Sequence, residues 1–165
     1  METTQSEILK ITCGNQEFEF PVEAANMNIT LKSMIEDGFT SDGASIPITE
    51  VEPEIMEYII KYCTYRQAHP YTEDELKDPR SLDFFEKEGN YDKEFIDLED
   101  DTIVKLAVAA NYLDNKQLVD LCCKKLAYII KKCKTPYDIA ERFNITPDPD
   151  PELKKIRDET NWTEE

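Results

Sequence analysis

The side chains best suited to chemistry are a single histidine and two adjacent cysteines. His69 is the only histidine in 165 residues, and no catalytic motif surrounds it. A lone histidine of this kind is far more often a surface residue than a catalytic base. Cys122 and Cys123 fall on one predicted helix, where neighbouring residues lie about 100° apart, so they cannot jointly bind a metal ion. These residues do not predict a reactive centre.

Common catalytic and phosphate-binding motifs are also missing from the sequence. There is no GxSxG, no HExxH and no glycine-rich phosphate loop, and four glycines in the whole chain leave little to build one from. The acidic pairs Asp100-Asp101 and Glu164-Glu165 are better explained as helix-start charge and tail than as acid/base pairs. The sequence therefore predicts a protein that is not an enzyme, with no metal site and no cofactor.

The net charge of −17 is extreme for a chain of this length. Nucleic-acid backbones and anionic membranes carry the same sign, so we expect neither as a partner. The sequence does not start with the signal-peptide pattern of a basic segment followed by a long apolar core. No apolar run approaches the roughly 20 residues that span a bilayer. We therefore expect a cytoplasmic and nuclear protein. Its five cysteines, an odd set without CxxC spacing, should then be small buried hydrophobic residues.

Extended patterns occur near the start of the chain. Residues 7–12 and 17–20 are rich in Ile, Leu and Phe, and Gly14-Asn15 between them suits a tight hairpin turn. Residues 45–49 form a third extended run. Pro47 within it cannot donate a backbone hydrogen bond, which predicts an edge strand.

Helical patterns cover most of the remaining sequence. Pro53 starts a helix that runs to about Gln67, with an expected inner stripe of Ile55, Ile59, Tyr62 and Cys63. Residues 70–101 hold thirteen acidic residues against four basic ones, which is typical of a solvated loop. Its apolar residues indicate that at least its end docks on the body. Thr135-Pro136 is a strong start signal for a further helix.

The most apolar stretch, 102–130, predicts two helices joined by a tight corner. Asp114 is the expected N-cap of the second helix, with Gln117 three residues on. Ten of the thirteen residues from Leu118 to Ile130 are apolar or aromatic. A surface helix needs only one apolar stripe. This helix is therefore central to the core, or it faces the core on one side and a partner on the other.

Several motifs together carry a resemblance to a known family. They are AANYLD at 109–114, the following helix at 116–130, KTPYDI at 134–139, FNI at 143–145, the terminal Asn161-Trp162, LKSMIED at 31–37 and YDKEF at 91–95. In this order they resemble the Skp adaptors of Skp–cullin–F-box ubiquitin ligases. The resemblance implies an α+β, mostly helical, BTB/POZ-like fold with a small three-stranded sheet and two extra C-terminal helices. It places the BTB/POZ-like domain at 1–131, with an acidic loop at about 70–101, and a helical extension for F-box binding at 132–165.

The resemblance also implies a function and its residues. Such proteins link a cullin scaffold to F-box substrate receptors and perform no chemistry themselves. Asn111 and Tyr112 correspond to the family's cullin face. The F-box face corresponds to Ile103, Leu118, Val119, Leu126, Ile130, Phe143, Ile145 and Trp162. For the residues on the second helix, the competing interpretation is ordinary core packing.

Two other interaction roles stay open from the sequence. One is a self-associating BTB-type domain. A weak homodimer of the free chain would fit both this role and the adaptor role. The other is an elongin-C-like subunit of a different cullin class, although such chains lack the two C-terminal helices. The chain departs from the family at Tyr91, where Trp is common, and at Thr163, where Cys is common. It also has one apparent extra residue at Lys132 or Cys133.

Overall fold

The sheet opens with a tight hairpin. The computed structural model describes residues 7–39, 43–73, 85 and 89–146. In it, β1 (Ile8–Cys13) and β2 (Gln16–Pro21) pair antiparallel, with Leu9 opposite Phe20. Gly14 in the turn has a φ of +57°, a conformation that residues with a Cβ adopt only with strain. The predicted hairpin is confirmed.

The third strand is shorter than predicted. β3 (Ile46–Pro47) pairs in parallel with β1 at Ile11 and Thr12, which gives the strand order β2-β1-β3. Pro47 therefore lies on an edge strand, as expected. The expected span of 45–49 was too long, because only Ile46 and Pro47 pair with residues of β1. The N of Pro47 faces away from β1, so its missing N–H suits the edge position. One further hydrogen bond follows, from the backbone N of Ile48 to the carbonyl of Thr12 at 2.8 Å.

Helices account for most of the other described residues. In chain order they are α1 (Val22–Ala25), α2 (Ile29–Glu36), α3 (Pro53–Ala68), α4 (Tyr91–Phe95), α5 (Asp100–Tyr112), α6 (Lys116–Lys132) and α7 (Pro136–Arg142). The predicted helix from Pro53 ends one residue later than expected. The predicted α+β, mostly helical class is confirmed.

The core begins between the sheet and helices α1 and α3, and it continues to α5, which contacts α3, and to α6, which contacts α5. Alternate residues of β1 are buried, as the two-residue period of a strand requires: Leu9, Ile11 and Cys13. The predicted inner stripe of α3 is buried in full, together with Met56 and Arg66. This core sets the positions of α5 and α6, the helices on which the functional residues were predicted.

The end of the acidic segment docks on α3, as predicted. Phe95 and Ile96 are buried, and the Phe95 ring lies 5.3 Å from that of Tyr62. Tyr91, one of the departures from the related family, stacks on Tyr65 with 3.4 Å between ring centroids. Burial raises the pKa of Tyr91 to about 12. This tyrosine is therefore an ordered packing residue.

A buried ion pair joins α3 to α4. Nη2 of Arg66 lies 2.6 Å from Oδ1 of Asp92, and the two side chains are only 6% and 8% exposed. The Tyr71 hydroxyl donates to Oδ2 of Asp92 at 2.7 Å, and the Arg66 guanidinium lies 3.7 Å from the centre of the Tyr71 ring. The oxygens of Tyr71 and Tyr62 are 3.0 Å apart. Four side chains from three segments thus form one buried polar network, which sequence reasoning missed.

Candidate functional site

The corner between α5 and α6 places the residues of the predicted cullin face. Asp114 has a φ of +53°, and it follows the last turn of α5 in the left-handed conformation. The backbone N of Asn115 donates to the carbonyl of Ala110 at 2.8 Å, and that of Asp114 to Asn111 at 3.1 Å. This hydrogen-bond pattern is a Schellman motif, which ends α5 sharply after Tyr112.

The predicted N-cap of α6 was one residue off. The cap is Asn115, whose side chain accepts from the backbone N of Leu118 at 3.1 Å. Asp114 instead follows the preceding helix in the left-handed backbone conformation, which Asp and Asn adopt more readily than most residues. Both residues are good caps, and the tight corner and the contact of Asn115 with Asn28 decide between them.

A buried polar cluster fixes this corner to the body. Nδ2 of Asn115 lies 3.1 Å from Oδ1 of Asn28 and 3.2 Å from Sγ of Cys63. Asn28 in turn donates to the carbonyl of Ala25 at 3.2 Å. Burial raises the pKa of Cys63 to about 11, although the hydrogen bonds from the two asparagines act in the opposite direction. The thiol of Cys63 therefore stays protonated, and the cluster stabilises the position of the corner relative to the body.

The first turn of α2 is bonded to the same corner. The backbone N of Thr30 donates to the carbonyl of Leu113 at 3.2 Å, and its hydroxyl donates to that of Tyr112 at 3.2 Å. Ile29 N reaches the carbonyl of Asp114 at 3.5 Å. Because α2 has no side-chain cap, the corner carbonyls satisfy its first N–H groups. The end of α5 is thus held in place from two sides.

An apolar stripe runs along the outward side of α5. Val104, Val108 and Tyr112 recur at four-residue steps and are all exposed, with Val108 at 65%. Asn111 lies on the same exposed side. We call these four residues the α5 outer face. Asn111 and Tyr112 are therefore both accessible, and they lie at the C-terminal end of an apolar surface that was not predicted from the sequence.

Helix α6 has three different apolar sides, which explains why its sequence is apolar nearly all round. One side is core: Leu118, Leu121, Cys122 and Ile129 are buried. A second side contacts the chain's own acidic segment, because the ring of Tyr128 lies 4.9 Å from buried Phe85. Lys125 on that side pairs with Asp97 at 3.4 Å.

The third side of α6 is partly exposed. Val119 and Leu126 are half-buried, and Ile130 is 43% exposed. Their positions differ by seven and four residues, which places them along one line of the helix. We call these three residues the α6 open side. Of the two alternatives drawn from the sequence, a helix buried on every side is ruled out, and a partner on the exposed side stays a prediction.

Helix α7 begins with the predicted signal. Thr135 and Asp138 form a complete capping box, with Pro136 in the first turn. At its other end, Arg142 pairs with Asp100 at the start of α5. Phe143 packs half-buried against the core, and Ile145 is exposed. Trp162 and the last predicted helix lie outside the described residues.

The predicted F-box residues thus occupy different environments. Ile103 and Leu118 are completely buried in the core of the described chain, so direct contact with a partner would require movement. Val119, Leu126 and Phe143 offer part of their surface, whereas Ile130 and Ile145 are open. The structure brings the three residues of the α6 open side together, and the roles of all these residues stay predictions.

The possible nucleophiles of the described chain are its cysteine thiols, most of which are buried. Burial raises the pKa of Cys13, and it raises that of Cys122 to about 12, so both thiols stay protonated near neutral pH. Cys123 is exposed and Cys133 half-exposed. The expectation that all five cysteines are buried was therefore wrong for these two. Helix α6 turns position 123 away from its core side, and Cys133 lies just beyond the last residue of that helix.

Other reactive arrangements are few in the described part of the chain. The His69 ring stacks on Tyr65, and its Nδ1 lies 3.1 Å from the Tyr65 carbonyl. Among residues 7–39, 43–73, 85 and 89–146, no three His, Cys, Asp or Glu side chains cluster as metal ligands.

No helix among the described residues combines the length and the apolar character needed to cross a membrane.

Comparison with known proteins identifies the family. Residues 7–68 match the POZ model described as "Skp1 family, tetramerisation domain", and residues 116–163 match "Skp1 family, dimerisation domain". The chain is 41% identical over 150 residues to the SCF ubiquitin ligase complex protein SKP1b of Dictyostelium discoideum, covering 90% of each protein. It is 37% identical over 169 residues to the S-phase kinase-associated protein 1 homolog of Tetrahymena thermophila, covering 100% of this chain and 98% of that protein.

A plant protein gives the same result. SKP1-like protein 11 of Arabidopsis thaliana is 36% identical over 159 residues, which cover 94% of this chain and 95% of the relative. The POZ match confirms the predicted BTB/POZ-like fold. With matches of this length at both ends of the chain, this protein belongs to the Skp1 family.

Proposed function

We propose that this chain is a non-catalytic adaptor of an SCF-type ubiquitin ligase, linking a cullin scaffold to F-box substrate receptors. Relatives that align with most of its length are named as SCF ubiquitin ligase complex proteins, which supports the adaptor role. The observation that carries the proposal is the presence of two separate apolar surfaces on adjoining helices, the α5 outer face and the α6 open side. A bridging protein needs two such surfaces.

We propose the α5 outer face as the cullin side. Asn111 and Tyr112 are the residues that the family resemblance assigns to this contact, and Val104 and Val108 extend it along the helix. Amphipathic helices commonly bind through apolar residues at four-residue steps. Tyr112 combines a large apolar ring with a hydroxyl, a residue type enriched at interface hot spots.

Replacing Tyr112 with alanine is expected to weaken cullin binding by about 30-fold, because hot-spot truncations typically cost about 2 kcal/mol or more. Binding of an F-box protein should stay within about twofold, since Tyr112 lies on α5 and not on the α6 open side. Calorimetric titration with a cullin N-terminal domain measures the first quantity. Tyr137→Ala, an exposed tyrosine of α7, is the matched control. Equal cullin affinity of Tyr112→Ala and the unmodified chain would contradict the assignment.

We propose the α6 open side, together with Phe143, Ile145 and Trp162, as the F-box side. Burial of apolar area at about 25 cal/mol per Å² would supply most of the affinity. The buried residues Ile103 and Leu118 would support this surface from below. They would contact the F-box protein only if the residues that cover them moved apart. The net charge of −17 would mainly affect the rate of encounter with basic partners.

The alternative roles predict different behaviour of the purified chain. A self-associating BTB-type domain would give a concentration-dependent dimer that excess F-box peptide does not dissociate, whereas an adaptor's weak homodimer would dissociate. An elongin-C-like subunit outside F-box complexes would bind a cullin but would bind no F-box protein. Sedimentation of the chain with and without each partner separates these roles. We further propose a cytoplasmic and nuclear location, which imaging of a fluorescent fusion tests.

A further inference from the structure

A small apolar cleft lies beside the α5–α6 corner, away from the α6 open side. It has a volume of about 180 Å³, and most of its lining area is apolar. Its walls are Met27 and Ile29 on one side, and residues 114–117 on the other. Ile29 is 45% exposed at its mouth. We call this feature the corner cleft.

Both walls of the corner cleft are held by direct hydrogen bonds. The α2 wall is bonded to the carbonyls of Leu113 and Tyr112 through Thr30, and the α6 wall is fixed by the buried cluster of Asn28 and Asn115. A pocket whose walls are already ordered costs little conformational entropy to fill. The cleft is therefore a preformed feature of the corner.

We propose that the corner cleft receives an apolar side chain of the cullin whose helix packs on the α5 outer face. This inference rests on the proposed function and extends its cullin side. The cleft adjoins that face directly, because its lining starts at Asp114, two residues after Tyr112, and Thr30 bonds to the Tyr112 carbonyl. One partner lying over Tyr112 therefore reaches both features.

The size and chemistry of the corner cleft suit one large aliphatic or aromatic side chain. An apolar cavity of about 150 Å³ accommodates a benzene-sized group, which is close to the volume seen here. Polar residues Asp114, Lys116 and Gln117 stand around it, and interface hot spots typically combine an apolar centre with such a polar rim.

The test is calorimetric titration of the full chain with a cullin N-terminal domain. Ile29→Asp should raise the dissociation constant about tenfold or more, because a carboxylate would be buried in an apolar contact. The fold should persist, since an acidic residue at the first position of a helix is favourable. Ile8→Asp, an equivalent change at a 49% exposed residue of β1, should bind cullin like the unmodified chain.

A second measurement needs no substitution. In methyl NMR spectra of the unmodified chain, added cullin domain should shift the signals of Met27 and Ile29 strongly and leave that of Ile8 in place. Unchanged signals and unchanged affinity of Ile29→Asp, with cullin binding still weakened by Tyr112→Ala, would overturn the cleft and leave the proposed function standing.

Two further outcomes would also overturn the inference. If the unmodified chain fails to bind any cullin domain, the proposed function fails and the cleft inference with it. If Ile29→Asp abolishes a dimer of the free chain while cullin affinity is unchanged, the occupant is a second copy of this chain.

Discussion

Replacing Asp92 with alanine is expected to lower the free energy of unfolding by about 3–5 kcal/mol, because removing one partner of a buried ion pair leaves the other charge uncompensated. The Arg66 and Asp92 side chains are 6% and 8% exposed, so solvent cannot replace the lost carboxylate. In the unmodified chain burial alone would lower the pKa of Arg66, but the hydrogen bond and charge of Asp92 outweigh it and raise that pKa. The variant loses this contribution of Asp92, but a guanidinium is not deprotonated in proteins, so Arg66 stays charged and buried without a counter-charge. Tyr71 also loses its acceptor.

Urea unfolding of the free chain measures this effect. Glu94→Ala, a change at an exposed acidic residue of the same helix, is the matched control and should stay within about 0.5 kcal/mol. The double variant Arg66→Met, Asp92→Leu should recover much of the loss, because apolar residues of similar volume commonly replace a buried pair without cost. If Asp92→Ala unfolds at the same urea concentration as the unmodified chain, the ion pair does not hold α4 to α3.

Replacing Ile130 with glutamate is expected to weaken F-box binding by about 100-fold, in the range of hot-spot substitutions. Ile130 is the most exposed member of the α6 open side, so it would be buried by a partner helix. A carboxylate there would be desolvated without a counter-charge from the apolar neighbours Val119 and Leu126. Cullin affinity should not change, because the α5 outer face and the corner cleft are unaltered.

The matched control for this experiment is Ile8→Glu, because Ile8 has similar exposure on β1. Circular dichroism of both variants shows whether α6 remains folded, as expected for a substitution at an exposed position. F-box affinity that is equal for Ile130→Glu and Ile8→Glu would remove the α6 open side from the proposed contact.

Local signals in the sequence were sufficient for much of the fold. The Gly14-Asn15 turn, the helix start at Pro53 and the capping box at Thr135 each depend on residues within a few positions of one another, and all three are observed. The α6 boundary was harder, because Asp114 and Asn115 are both good caps. The choice depends on Asn28, which contacts Asn115 across 87 positions of sequence.

The acidic segment shows a different limit. Its charge predicted a solvated loop, yet Asp92 is buried because Arg66, on a helix that otherwise looked amphipathic, supplies the counter-charge. Likewise, the sequence of α6 left two alternatives, a helix central to the core or one with a core side and a partner side. It did not indicate that Tyr128 contacts Phe85 of the same chain, since such pairing of distant aromatic residues leaves no periodic pattern.

The candidate site was predicted mainly through family resemblance. Asn111 and Tyr112 were carried over by their motif and are exposed, but the resemblance did not include Val104 and Val108, which complete the same face. Ile103 and Leu118 were carried over in the same way and are buried. Resemblance transfers positions along the chain, whereas accessibility depends on packing that only the folded structure displays.

The most direct test of the adaptor role is the sedimentation of a mixture of this chain, a cullin N-terminal domain and an F-box protein. The two surfaces lie on separate helices, so both partners should bind at once and give a single 1:1:1 complex. The cullin and the F-box protein should sediment separately when the chain is left out. If one partner displaces the other from the chain, the two surfaces overlap and the bridging role is contradicted.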